Sequence, residues 1–272
     1  VRPVTIIGAG AVGRSIALAL FYSGVKIHGV YSLSGRSAVQ LGKRVHAKYS
    51  GTLSPSPDCG SIVLLCIPDA KIKEAATMLA RALPSMNNRV VIHTAGARSS
   101  AELVPLKRKR CSVGSFHPMQ TFPHGKITSL SGVWCAIEGD KAALAVCRQL
   151  ARKLRSHAFV ISKEAKVLYH IAGVFASNYV VTLMSVVHDL AVQSGIPEKN
   201  IWKIFRPIIE QAVQNTVKSS PAEALTGPII RGDSETVVQH LTALSSGTAA
   251  YLAPLYSALG IETVRLAKKQ RR

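Results

Sequence analysis

Three stretches of this 272-residue chain hold residue types suited to handling a proton or an anion. His117 stands in Ser115-Phe116-His117-Pro118-Met119-Gln120-Thr121-Phe122, where the following proline holds it extended at the end of a predicted strand. His170, Val174, Ser177 and Asn178 recur at spacings of four, three and one, which places them on one face of a helix. Arg231 lies in Thr226-Gly227-Pro228-Ile229-Ile230-Arg231-Gly232-Asp233. An imidazole titrates near neutrality and can trade a proton with a substrate oxygen. An amide can orient a carbonyl or a water, and a guanidinium can clamp a carboxylate or phosphate with two parallel N–H groups. His170, Asn178 and His117 are therefore the candidate catalytic residues, and Gln120, Thr121, Ser177 and Arg231 the candidate substrate contacts. Plainer readings stand beside these. His170 could satisfy a buried carbonyl, Asn178 could pack as a polar seam residue, and His117-Pro118 could merely shape a connection. Arg231 could pair with Asp233, which also reads as a helix N-cap.

The proton-handling groups need a partner for electrons, and the start of the chain supplies a site for one. Residues 4–7 form an apolar strand that breaks into Gly8-Ala9-Gly10-Ala11-Val12-Gly13, and a helical stretch follows. In that context G-x-G-x-x-G is the dinucleotide-binding fingerprint. Gly8 permits the tight turn, Gly10 lets the backbone approach a pyrophosphate, and Gly13 lets the helix pack on the strand. Free N–H groups at the helix start then face the diphosphate. Further contacts are expected where later strands end, at Cys66, Ile67 and Pro68, and at His93 and Thr94, because ligands in open α/β sheets bind outside the carboxyl ends of strands.

NAD sites end the second strand on an acid that holds the ribose 2′-hydroxyl. Here that strand ends Val30-Tyr31-Ser32-Leu33-Ser34-Gly35-Arg36-Ser37, without an acid. Ser32, Ser34, Arg36 and Ser37 can instead hold a 2′-phosphate, so the expected cofactor is NADP (NADPH).

The elements that must position these groups alternate through the first half. Strands are predicted over 4–7, 26–31, 62–67, 90–93, 112–116, 133–138 and 158–161, and helices over 13–23, 37–41, 70–83 and 141–156, with a Pro/Ser loop at 53–57. From about Ser162 the pattern turns helical. One long apolar helix is expected over 168–194, then another over 196–218 that breaks or kinks at Pro207. A helix should open at Ser220-Pro221-Ala222-Glu223, another at Asp233, and a last one should run over 249–269. The fold class is α/β: an N-terminal Rossmann doubly wound parallel sheet over 1–162, followed by an all-helical C-terminal domain over 163–272.

Composition narrows the function classes. Hydrophobic residues make up 47% and charged residues 18%, which supplies a packed core. No unbroken apolar run nears about 18 residues, and no leader is visible, so neither a membrane partner nor export is expected. Five cysteines without a C-x-x-C pair fit reduced thiols and a cytoplasmic location, and no His/Cys spacing fits zinc. The net charge of +20 would draw nucleic acid or an anionic small molecule. No nucleic-acid-binding motif accompanies the basic clusters at 107–110 and 268–272, so a small-molecule substrate is the expected partner and nucleic acid is not. His28, His46, His124, His157, His188 and His240 receive no role.

The glycine loop, the His117 string, Tyr169-His170-Ile171-Ala172-Gly173-Val174-Phe175-Ala176-Ser177-Asn178-Tyr179 and the Thr226–Asp233 stretch together resemble a bacterial family of Rossmann-like proteins with an uncharacterised helical C-terminal domain, labelled NADP oxidoreductases. The resemblance spans essentially the whole chain. Wider relatives are pyrroline-5-carboxylate reductases and 3-hydroxyisobutyrate and 6-phosphogluconate dehydrogenases. It implies cofactor on the Rossmann domain, substrate in the interdomain cleft, and a homodimer through the helical half. The chain departs from the hydroxyacid dehydrogenases, whose lysine and asparagine stand four apart. Here Lys166 is followed at that spacing by His170, and Asn178 comes later. The expected function is NADP-dependent hydride transfer to or from a small anionic substrate. An NADP-binding regulator or sensor without turnover is the alternative. His-Pro-Met, similar to a prephenate dehydrogenase string, raises prephenate chemistry as a lesser one.

Overall fold

The computed structural model describes residues 1–54, 57–82, 87–246 and 248–270. Parts of the predicted 53–57 loop, the end of the predicted 70–83 helix and the last two residues of the basic tail lie outside them.

Eight strands form one sheet: β1 Val4–Ile7, β2 Ile27–Ser32, β3 Tyr49–Thr52, β4 Ile62–Leu65, β5 Val90–His93, β6 Ser112–Pro118, β7 Trp134–Gly139 and β8 His157–Val160. Their order is β3-β2-β1-β4-β5-β6-β7-β8. All neighbours are parallel except β6 and β7. Helices α1 Ala11–Tyr22, α2 Arg36–Arg44, α3 Ile72–Ala82, α4 Val104–Lys107 and α5 Lys141–Lys153 connect them. β1, β4 and β5 are buried at every position, which is why they read as unbroken apolar runs. The strand order reverses at β1, so the carboxyl ends of β1 and β4 open the crevice where the glycine loop sits.

β3 escaped the sequence reading. Tyr-Ser-Gly-Thr is a polar sheet edge alternating half-buried and exposed, which gives little apolar signal. α2 runs longer than predicted because Lys43 and Arg44 continue it into solvent.

Helices follow: α6 Lys166–Ala176, α7 Asn178–Gln193, α8 Glu198–Lys218, α9 Pro228–Arg231, α10 Ser234–Ser245 and α11 Ala253–Gln270. The single helix predicted over 168–194 is two. The Ser177 hydroxyl donates to the Gly173 carbonyl at 2.8 Å, the group that the Ser177 N–H would otherwise use, and its backbone leaves the helical region. α8 passes through Pro207 without a break. The helix predicted from Ser220 is only a turn, in which Ser220 Oγ accepts the Glu223 N–H at 3.3 Å. Gly227, at φ +102, and Pro228 then start α9.

The chain divides into two compact units, Val1–Tyr179 and Val180–Arg272. α6 thus belongs with the sheet, and the first unit extends beyond the boundary expected at 162. The run Lys166–Gln193 meets the length and composition of a membrane-crossing helix, with hydropathy 1.5. It begins, however, on a fully buried lysine and is interrupted by His170, Ser177, Asn178, His188 and Asp189.

Candidate active site

The glycine loop begins with Gly8, whose N–H donates to Tyr31 O at 2.7 Å and whose φ is +107, a conformation that favours glycine. A Cβ on Gly8 would strike the Cys66 carbonyl, and one on Gly13 would strike the Gly8 carbonyl. A Cβ on Gly10 would meet nothing within 4 Å. Gly8 and Gly13 therefore permit packing, while Gly10 leaves open space at the start of α1. No side chain caps that helix and its first turn holds no acid. This cradle suits a diphosphate. Cys66 and Ile67 close its floor. Burial pushes the Cys66 thiol up to about 12, so it stays protonated.

At the end of β2, Ser32 and Ser37 hydroxyls lie 3.2 Å apart. Gly35, at φ +71, starts α2 beside Thr52, whose Oγ1 would stand 2.6 Å from a Cβ at Gly35. Ser34 and Arg36 are exposed. Thr52, opposite Ser32 in the β2–β3 register, adds a hydroxyl that sequence reasoning missed because β3 was missed.

His93 lies deeper than a contact residue. It is fully buried, with Nε2 3.0 Å from Ser99 O and Nδ1 accepting the Ala95 N–H at 3.2 Å. Nε2 must then carry the proton. Burial lowers its pKa to about 4, assisted by Lys166. Thr94 N–H donates to Leu65 O at 3.1 Å, tying the ends of β4 and β5 together.

Six predicted residues share one cleft of about 560 Å³: His117, Gln120, Thr121, His170, Ser177 and Asn178. All lie within the first compact unit. His117 Nδ1 is hydrogen-bonded to the Tyr169 hydroxyl at 3.1 Å. The His117 and His170 rings meet edge to face, with centroids 5.8 Å apart. A Cβ on Gly96 would collide with His170 Nδ1 and lie 2.8 Å from His117 Nε2, so these nitrogens converge over a residue that must lack a side chain. Burial, then Lys166, His170 and His93, depress His117 to about 4 and leave it a neutral imidazole at neutral pH. Burial raises Tyr169 to about 12, so its phenol keeps its proton. Ser177 Oγ lies 3.0 Å from Asn178 Oδ1, and Gln120 Oε1 accepts the Thr121 N–H at 2.8 Å. No acidic side chain is among the described lining residues. Gly96 was expected, with His93 and Thr94, only as the end of a strand facing the ligand; Tyr169 had no role from sequence alone, and its adjacency to His170 was the available signal.

Arg231 is in the second unit, ending α9 before the left-handed Gly232. Asp233 caps α10, taking the Thr236 N–H at 3.0 Å and its hydroxyl at 2.7 Å, and these bonds lower its pKa. A larger depression, about 750 Å³, follows α3 along Lys73, Glu74 and Arg81 and holds none of the candidates.

Residues 2–118 match the model of a Rossmann-like domain, and residues 133–263 match that of a domain of unknown function, DUF2520. No curated protein matches the chain in sequence. Among solved structures, the chain is similar to a "putative NADP oxidoreductase" from Bacteroides fragilis at 23% identity and TM-score 0.79, covering 97% of this chain and 98% of that one. Protein TM1727 from Thermotoga maritima is 25% identical, with TM-score 0.74 and coverage of 99% and 100%. A pyrroline-5-carboxylate reductase from Coxiella burnetii is 16% identical, with TM-score 0.60 and coverage of 99% and 98%. The two domain matches follow one another along the chain, a Rossmann-like domain and then DUF2520, and each covers a little under half of it.

Proposed function

We propose that this protein is an NADP(H)-dependent oxidoreductase acting on a small anionic substrate. NADP(H), when bound, supplies or accepts the hydride. Gly8, Gly10 and Gly13 with the α1 N-terminus would receive its diphosphate, and Ser32, Ser34, Arg36, Ser37 and Thr52 its 2′-phosphate. The B. fragilis neighbour, described as a "putative NADP oxidoreductase", agrees with that cofactor.

The observation that carries the reading is the convergence of His117 Nε2 and His170 Nδ1 over Gly96, within the cleft of Gln120, Ser177 and Asn178. Two imidazole nitrogens there can hold a substrate oxygen and exchange a proton with it. Asn178 and Gln120 orient the rest of the substrate. With histidines and amides on its walls and no acid among the described ones, the cleft favours an anion or a polarised carbonyl over a cationic amine.

Calorimetry with NADPH and NADH tests the cofactor, and following absorbance of the reduced form across 2-oxo acids and cyclic imines tests turnover. Tight NADPH binding with weak NADH binding is expected, and binding of neither would sink the proposal. The depressed pKa of His117, well below the near-neutral value that suits a general acid, favours a second reading: cofactor binding without turnover. Binding with no consumption across the screen would select it.

We also infer a homodimer through the helical unit. Val181, Ile208, Val213 and Val217 expose large apolar surfaces, at 71%, 66%, 58% and 80%, that a second copy would cover. Light scattering should return twice the 29.0 kDa chain mass. All five cysteines are free thiols, in keeping with a reducing, cytoplasmic setting.

A further inference from the structure

Lys166 opens α6 with its side chain fully buried, a rare state for lysine. Its ammonium donates to Ser115 Oγ at 2.7 Å and to Ala95 O at 3.3 Å. None of the ion pairs among the described residues includes it. The one buried acid among the described residues, Glu138, is already committed to the Ser100 N–H and hydroxyl, both at 2.7 Å. Ser115 sits between His93 and Glu138 in the sheet register, so a buried polar row crosses β5, β6 and β7 beneath the ammonium.

The histidine pair stands one step outward on the same two elements. His117 is two residues beyond Ser115, on the same face of β6, and His170 is one turn beyond Lys166 on α6. The Lys166–Ser115 hydrogen bond thus fixes the strand and helix whose next side chains form the site.

We propose that Lys166 is the positioning residue of this cleft: a buried cation, clamped on Ser115, that ties α6 to β6 beneath the His117–His170 pair and makes the floor of the site electropositive. The inference rests on the reading of His117 and His170 as the working pair. The groups facing His117 are Lys166, Tyr169 and His170 from α6 and His93 from β5. Those facing Lys166 are His93 and His117, Glu138 from β7, Cys147 from α5 and Asp69 ahead of α3. Burial lowers Lys166 itself to about 8, against the pull of Glu138 and Asp69, so it still carries its charge at neutral pH. That charge opposes a second cation on His117, and burial acts in the same direction. A floor of this sign stabilises negative charge developing on a substrate oxygen and repels an iminium.

The test is an imidazole ¹⁵N NMR titration of the full chain, without cofactor or substrate, assigned with His117→Gln. In the wild type His117 should stay neutral down to about pH 4. In Lys166→Met its proton affinity should rise roughly tenfold. An unchanged His117 midpoint in a folded Lys166→Met variant overturns the proposal, since burial alone would then hold the ring neutral. Should that variant not fold, the wild type still decides. Its His117 resonances should inflect near pH 8 as Lys166 gives up its proton, and a flat response from pH 6 to 10 overturns the proposal. None of these readouts uses NADPH, so a failure of cofactor binding would count against the proposed function and leave this result standing.

Discussion

His117 and His170 come from a strand and a helix 53 positions apart in sequence, yet their Nε2 and Nδ1 atoms converge over the Cα of Gly96. The rings are 74° apart in plane, an edge-to-face arrangement. Gly96→Ala should break this relationship. The new methyl meets both nitrogens and must push at least one ring aside. Loss of tenfold or more in turnover is expected, with about 1–3 kcal/mol of stability lost to overpacking. NADPH affinity should hold, because Gly96 is outside the glycine loop. Kinetics beside calorimetry check this; a variant as active as wild type would remove the pair from the chemistry.

Gly10 and Gly13 share a motif but separate by environment. Gly13→Ala places a methyl against the Gly8 carbonyl and should cost about 1–3 kcal/mol in denaturant unfolding. Gly10→Ala has free space and an ordinary φ of −73, so it should fold normally. It should nevertheless weaken NADPH binding by roughly tenfold or more, because the methyl occupies the path of the diphosphate.

Stability should respond to pH at both ends. His93 and His117 have folded values near 4, against an ordinary 6.5. Between those values the unfolded chain binds protons that the folded chain refuses. Stability therefore falls as pH drops from 6.5 towards 4, by about 3 kcal/mol for fully buried His93. Lys166 works at the alkaline end, with a folded value near 8 and an ordinary 10.5. Stability should rise over that interval, where the unfolded chain alone holds the proton. Urea titrations at several pH values would show both slopes, and His93→Gln should flatten the acid one.

The glycine loop was legible because strand, turn and helix are local, and each glycine has a local reason. The six residues of the cleft were legible as types, since His117 ends a strand with Gln120 and Thr121 just beyond it, and the spacing of His170, Ser177 and Asn178 suits one helix face. Their convergence was not. It depends on α6 packing with the sheet, and on Gly96, whose importance lies in what it lacks. Lys166 was visible only as a departure from a lysine–asparagine spacing. Its burial follows from the β5–β6–β7 register, which a single sequence does not display. The break at Ser177 was missed because helix period and apolar content continue through it, while the hydroxyl that causes it bonds to the backbone.

Cofactor choice turns on the end of β2. Ser32 and Ser37 stand 3.2 Å apart where NAD sites carry an acid, and Arg36 follows at the first position of α2. On the proposed placement of the 2′-phosphate, Arg36→Ala would remove a charge-assisted bond to it and should weaken NADPH binding by about 1.5–3 kcal/mol, roughly 10–150-fold. NADH, lacking that phosphate, should bind as before. Ser32→Asp acts by a different route. Its carboxylate would repel the phosphate while accepting the ribose hydroxyls of NADH, so preference should fall from both sides. Salt separates the two contributions: NADPH affinity should drop with ionic strength in the wild type and much less in Arg36→Ala. If both variants kept the wild-type preference, the 2′-phosphate would have to lie elsewhere, and the hydroxyl cluster of Ser32, Ser37 and Thr52 would be only the turn that joins β2 to α2.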